Sequence, residues 1–208
     1  NYYFKNKKYY IGEELALINN YIINFLNQLN NSQIELKFIS SKEASAQENI
    51  VRLNGETKFL INKDLYSSLM TIDSIPEKEY YYLLTYQIWG IMHEFYHNKQ
   101  LDGFDNYKLN VKEIKEYLVA FNNHHFYRSY HNNFKFEQDA DQLSLESLNG
   151  ILKGIIPADM LKLSLETISL QLKKIHSKDL DRVTFQSLID EEYEKLNQDA
   201  DNPGRKNM

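Results

Sequence analysis

Only seven glycines and three prolines are spread over the 208 residues, and that scarcity constrains the fold more than any other feature. These two residues interrupt helices and strands most sharply. A chain so poor in them has little room for long linkers, and it carries no internal repeat or low-complexity tract. Helical periodicity accounts for most of its length. Leu15, Ile18, Ile22, Phe25 and Leu29 recur at helical spacing over residues 13–29. Ser74-Ile75-Pro76-Glu77 reads as a capping box, with the Ser and Glu side chains placed to satisfy the first backbone donors. The helix it opens is expected to run to about Gln100, where Asp102-Gly103 breaks it. Further helical patterns cover residues 111–127, 134–152, 158–175 (opened by Pro157) and 184–196. The tail from about residue 198 reads as frayed.

Strand signals are confined to the stretch after the first helix. Ile34-Glu35-Leu36-Lys37-Phe38-Ile39 alternates apolar and polar residues. Asn54-Gly55, between the apolar runs at 49–53 and 57–61, predicts a β-hairpin with a type I′ turn. A small sheet of about three strands followed by a helical half makes the expected class α+β. The expected organisation is one module over residues 1–154 and a helical extension over 155–208, packed as a single domain.

Composition removes several classes of function. A net charge of -5 with a pI near 5.7 offers no broad basic surface for a phosphate backbone, so nucleic acid is not an expected partner. The absence of cysteine excludes disulfide frameworks, Cys-based zinc fingers, iron–sulfur clusters and thiol nucleophiles. No apolar run approaches the roughly 20 residues needed to span a bilayer, and no signal-like segment is visible at the N-terminus. A cytoplasmic protein is expected. A secreted one stays open because the sequence starts at Asn1 rather than Met.

The chemistry is concentrated in His93-Glu94-Phe95-Tyr96-His97, in the middle of the capped helix. Residues four apart lie one above the other on a helix, so both imidazoles project from one stripe and can bind one zinc ion. Glu94 is offset around the helix, where it can reach a metal-bound water rather than the metal. Gly90 and Tyr86 extend the stripe, while Leu84, Ile88, Met92 and Phe95 supply the buried face. Chance placement of two of the six histidines around a glutamate is the bland alternative.

A second motif, Glu137-Gln138-Asp139-Ala140-Asp141, follows forty residues after His97. Glu137 and Asp141 again share a stripe, continued by Ser144. A catalytic zinc takes three protein ligands and leaves a position for water, so Glu137 can complete a His, His, Glu set. Asp141, one turn on, is placed to accept the other ring N–H of a ligating histidine. An isolated acidic pair of this kind reads as a solvated helix face, and one of His124, His125 or His131 is an alternative third ligand.

Together the two motifs resemble the glutamate-type zinc metallopeptidases, the gluzincins. The short format and the wording Glu-Gln-Asp-Ala-Asp are most similar to the phage-exclusion Lit peptidase family, and next to the regulatory peptidases of the ImmA/IrrE type. The resemblance covers about residues 10–150. It implies a zincin-like fold, with a small sheet and hairpin packed on the active-site helix. It also implies His93, His97 and Glu137 as zinc ligands, Glu94 as the catalytic glutamate and Asp141 as the supporting carboxylate.

The expected function is therefore a zinc endopeptidase with one Zn2+ per chain. It hydrolyses a peptide bond of a protein substrate with metal-activated water and Glu94 as general base. The resemblance implies a defence or regulatory role. An oxyanion stabiliser is expected from the segment 122–131, where His124, His125, His131, Tyr127 and Tyr130 are the candidates. His176, with Lys173 and Lys174, reads as a structural residue at a helix C-terminus. The strand at 57–61 is a candidate edge for an extended substrate. The late helices offer a surface for a regulatory protein. The competing readings are a scaffold module that keeps the zincin fold without turnover, and a secreted toxin-type metalloprotease.

Overall fold

The computed structural model describes residues 34–39, 48–53, 56–62, 76–105 and 108–201, with side chains over residues 76–101, 103 and 108–198. The helical pattern at 13–29, Ser74 and the Asn54-Gly55 pair lie outside the described residues. Three short strands come first: β1 (Ile34–Ile39), β2 (Glu48–Leu53) and β3 (Glu56–Asn62). They form a sheet of order β1-β3-β2, in which β3 pairs parallel with β1 and antiparallel with β2. Strand β3 is thus the central one. Both its backbone edges are occupied, so residues 57–61 are not an edge that a substrate strand could join, contrary to the sequence expectation.

Among the described residues, all those after Pro76 are in helices or the connections between them. The helices are α1 (Glu77–Asp105), α2 (Val111–Asn122), α3 (His124–Tyr130), α4 (Lys135–Leu152), α5 (Ala158–His176) and α6 (Arg182–Asp201), with a 3-10 turn at His131–Asn133. The part of the chain described with its side chains is 86% helical and contains no strand. The expected α+β, zincin-like class is therefore overturned, and the fold is mostly helical. The expected zincin-like packing of a sheet with a hairpin on the active-site helix is overturned with it. The physical reason lies in proportion: three strands of six, six and seven residues stand beside long helices that almost no Gly or Pro interrupts. Among the described residues, no helix is long and apolar enough to cross a membrane.

The chain divides into two compact units, residues 1–98 with 143–169, and residues 99–142 with 170–208. The first unit has a core of Tyr81, Leu84, Ile88, Ile91, Met92 and Phe95 from α1, closed by Leu148 and Leu152 of α4, Ile156 and Leu161. The α1 members recur every three or four residues, as one buried helix face requires. Full burial of each Leu or Ile contributes about 1.5–3 kcal/mol. Thr85, fully buried on this face, donates its hydroxyl to the Tyr81 carbonyl at 2.7 Å. The second unit has its own core, Val119, Ala120, Phe126, Phe134, Phe185 and Ile189. Edge-to-face packing of Phe134 on Phe185, 5.1 Å between centroids, marks its centre.

Two helix boundaries differ from the sequence expectation. Helix α1 does not end near Gln100 but continues through Gly103 to Asp105. Gly103 keeps helical geometry, and Leu109 packs where its side chain would be, its Cδ2 only 3.4 Å from the position of a Cβ. The expected single helix over 111–127 is instead α2 and α3, separated by Asn123 (φ -124°, ψ 81°). The Asn123 N–H closes α2 on the Val119 carbonyl, and its side-chain oxygen accepts the Phe126 N–H at 3.0 Å to open α3. One residue therefore serves as both caps. Helix α2 itself starts from a capping box of Asn110 and Glu113.

The start of α4 is capped from a distance. Phe134 precedes its first residue and has no side-chain acceptor. The Lys135 N–H donates instead to Oε2 of Glu116, a carboxylate on α2 that is 1% exposed. Arg182, at the start of α6, binds the other carboxylate oxygen and reaches the Asn133 carbonyl at 3.3 Å. Burial raises the Glu116 pKa, and the Lys135 N–H and Arg182 only partly offset it.

Because that pKa is raised on folding, the protonated form is the one folding favours. The contribution of Glu116 is then full at low pH and declines as pH rises through the raised value. Thermal unfolding across pH 4–8 should show this component in the native chain and lose it in Glu116→Gln. Arg182→Ala, which leaves the buried carboxylate short of its partner, should cost about 1–3 kcal/mol near neutral pH.

Candidate metal centre

The motif His93-Glu94-Phe95-Tyr96-His97 extends two residues, just over half a turn, either side of Phe95 on α1, whose buried face fixes which way the rest of the stripe points. His93 and His97 are half-buried, and their Nε2 atoms lie 2.8 Å apart. The rings meet edge to face with centroids 4.5 Å apart. Trp89, one turn earlier, lies 5.6 Å from the His93 ring and closes that side of the stripe. Two imidazole nitrogens converging at this distance need a proton or a cation between them, since two lone pairs repel.

Glu137 supplies the third donor. His93, His97 and Glu137 each offer one ligand atom, and these atoms all lie within 4.8 Å of one another. Two imidazoles and one carboxylate form a donor set that suits zinc among the common biological cations, while thiolate-demanding sites are excluded by composition. The group could hold a metal ion. Glu94 lies outside the three, half-buried on α1 one residue round from His93.

Glu137 sits in the first turn of α4 and is 2% exposed. A carboxylate that deep needs hydrogen bonds on its oxygens. The Tyr127 hydroxyl donates to Oε1 at 2.6 Å, and His131 Nε2 lies 3.3 Å from Oε2. The backbone just before it is held as well, because the Gln100 amide donates to the Phe136 carbonyl at 2.7 Å. Tyr117 stacks on Phe136 with centroids 4.5 Å apart. Burial, with the Glu137 charge adding to it, pushes the Tyr117 phenol above its ordinary pKa, so it stays neutral.

The five candidates for an oxyanion stabiliser separate into two groups. Tyr127 and His131 meet the Glu137 carboxylate. His124 and His125 are exposed at the start of α3, and the Tyr130 ring packs against Phe126 and Phe185 at 4.8 and 6.2 Å. The spacing explains this division. On α3 and the turn after it, Tyr127 and His131 are four apart and share a side, with ring centroids 5.1 Å apart.

Asp141 is 9% exposed, and its Oδ2 lies 3.2 Å from His176 Nε2. Sequence reasoning passed over that contact, having taken His176 for a helix-end residue only. Its one local sign is the His176–Asp179 spacing of three, which the structure turns into an Nδ1 to Oδ2 contact of 2.8 Å.

Inductively coupled plasma analysis of the purified chain should find about one zinc per chain, and none after His93→Ala. Tyr127→Phe removes the donor to Glu137 without emptying the space its ring fills. Zinc affinity, read by competition with a chromophoric chelator, should fall by about tenfold, the usual effect of losing a hydrogen bond to a ligand.

No family model, no curated protein and no solved structure matches this chain, so its function has to be argued from the arrangement of these residues.

Proposed function

We propose that the chain is a zinc-dependent endopeptidase acting on a protein substrate. The observation that carries this reading is the convergence of His93, His97 and Glu137 to within 4.8 Å, with Glu94 next to the first of them and outside the group. The three would hold the zinc. Zinc held by two imidazoles and a carboxylate supplies a Lewis acid and lowers the pKa of water towards neutrality.

The remaining steps belong to the chain's own side chains. The Glu94 carboxylate takes the proton of the attacking water and passes it to the leaving amine. Such a group must stand beside the ligands without being one of them, and a residue adjacent to His93 on the helix meets that requirement. Tyr127 and His131 hold the Glu137 carboxylate in one orientation, which lowers the reorganisation that reaction demands. The resemblance of the two motifs to the Lit and ImmA/IrrE peptidases favours one or a few specific protein targets, in defence or regulation, over bulk digestion.

The test compares cells expressing the native chain with cells expressing Glu94→Gln, by mass spectrometry of newly formed peptide termini. Cleavage events should appear only with the native chain. On the substrate so found, the variant should be slower by about a hundredfold to ten-thousandfold while still binding one zinc. Full zinc binding with identical termini in both samples would overturn the peptidase reading and leave a metal-binding scaffold.

A further inference from the structure

We propose that His176 is a positioning residue for the metal centre, acting through Asp141. This rests on the reading of His93, His97 and Glu137 as zinc ligands. It adds that residues beyond 170 complete the centre.

The imidazole of His176 is held between two carboxylates. Its Nδ1 lies 2.8 Å from Asp179 Oδ2 and its Nε2 lies 3.2 Å from Asp141 Oδ2. All three side chains are mostly removed from solvent, at 27% exposure for His176, 13% for Asp141 and 10% for Asp179. The ring is closed by Gln138, whose amide donates to the same Asp179 oxygen at 3.2 Å and to the Asn132 carbonyl at 2.9 Å. Two residues of α4, Gln138 and Asp141, are thus gripped by His176, the last residue of α5, and Asp179 in the turn after it. Each pair is three apart, so each projects from one side of its own segment.

The grip falls on the turn of α4 that carries Glu137. Gln138 is the next residue, and Asp141 follows Glu137 by four, on the same stripe. A rotation of α4 about its axis would move Glu137 away from the two histidines and would stretch both contacts of the ring. His176 opposes that rotation. It also orients the Asp141 carboxylate: one oxygen is committed to the imidazole, which fixes the plane in which the other lies. A solvent-exposed histidine at a helix C-terminus would interact with the helix dipole alone. This one is directed instead at side chains, one of them on the ligand helix.

The experiment uses three substitutions and two readouts, zinc affinity by chelator competition and the melting temperature of the metal-free chain. His176→Gln places an amide donor at the position of Nε2 and keeps the Asp141 contact. His176→Asn places one at the position of Nδ1 and keeps only the Asp179 contact. His176→Ala keeps neither. At a temperature well below every melting point, His176→Gln should retain most of the native zinc affinity. His176→Asn and His176→Ala should each lose about tenfold or more, as expected when a residue that supports ligands is removed. A purely structural histidine would lower the melting temperature and leave the zinc affinities of the three equal. Equal affinities of the Gln and Asn variants would overturn the proposal, and these two decide it if the Ala variant does not fold. Failure of the native chain itself to bind zinc would instead remove the metal centre, and this proposal with it. Native binding with no separation between the variants would leave the centre standing and remove only the role of His176.

Discussion

A glutamate with 2% of its surface exposed must be surrounded by donors or it will not stay charged, and much of the second unit is organised around meeting that requirement for Glu137. Tyr127 and His131 each meet one of its carboxylate oxygens. The backbone on its N-terminal side is tied at Lys135 by Glu116 and at Phe136 by Gln100. On its C-terminal side, Gln138 and Asp141 are held by Asp179 and His176. Four separate segments therefore fix five positions between Lys135 and Asp141, around one carboxylate. Such an investment is far more than an ordinary acidic helix face requires.

The capping residues are what make these approaches possible. Asn123 ends α2 and starts α3, and the change of direction there turns Tyr127 and His131 toward Glu137 while His124 and His125 remain in solvent. Had 111–127 been one continuous helix, these side chains would have projected elsewhere. Glu116 plays the corresponding part at α4, which lacks a capping side chain of its own. Its buried charge is costly, as the raised pKa indicates, and Arg182 offsets that cost from the start of α6. The late helices are thereby linked to the ligand helix at two places, through Arg182 and through His176.

How much was legible in the sequence follows from the range of each interaction. The stripe of His93 and His97 could be read because a period of 3.6 residues is a local property and Phe95, Met92 and Ile88 mark the buried face beside it. The pairing of Glu137 with them was suggested by the third ligand that a catalytic zinc needs and by motif resemblance, since forty intervening residues carry no local record of who meets whom. The α+β class went astray because clear alternation over a few short stretches was given equal weight with long helical runs. The Asn123 break was missed because apolar periodicity continues across it, and Asn is not a strong breaker in a sequence already rich in it. His176 was undervalued for a similar reason: a helix-end histidine looks the same in sequence whether it faces solvent or two carboxylates.

The sequence alone determined that the chain would be built of long helices, that two imidazoles would share one helix face, and that any metal would be held by nitrogen and oxygen rather than sulfur. These follow from composition and from backbone periodicity, which act over four residues or fewer. Only the tertiary structure decided that Glu137 is buried and doubly bonded, that Tyr127 and His131 attend it, that β3 is central, and that His176 reaches Asp141. Each of those depends on which distant segments pack together, and packing selects partners by shape and by compensation of buried charge, neither of which is written in the spacing of residues along the chain.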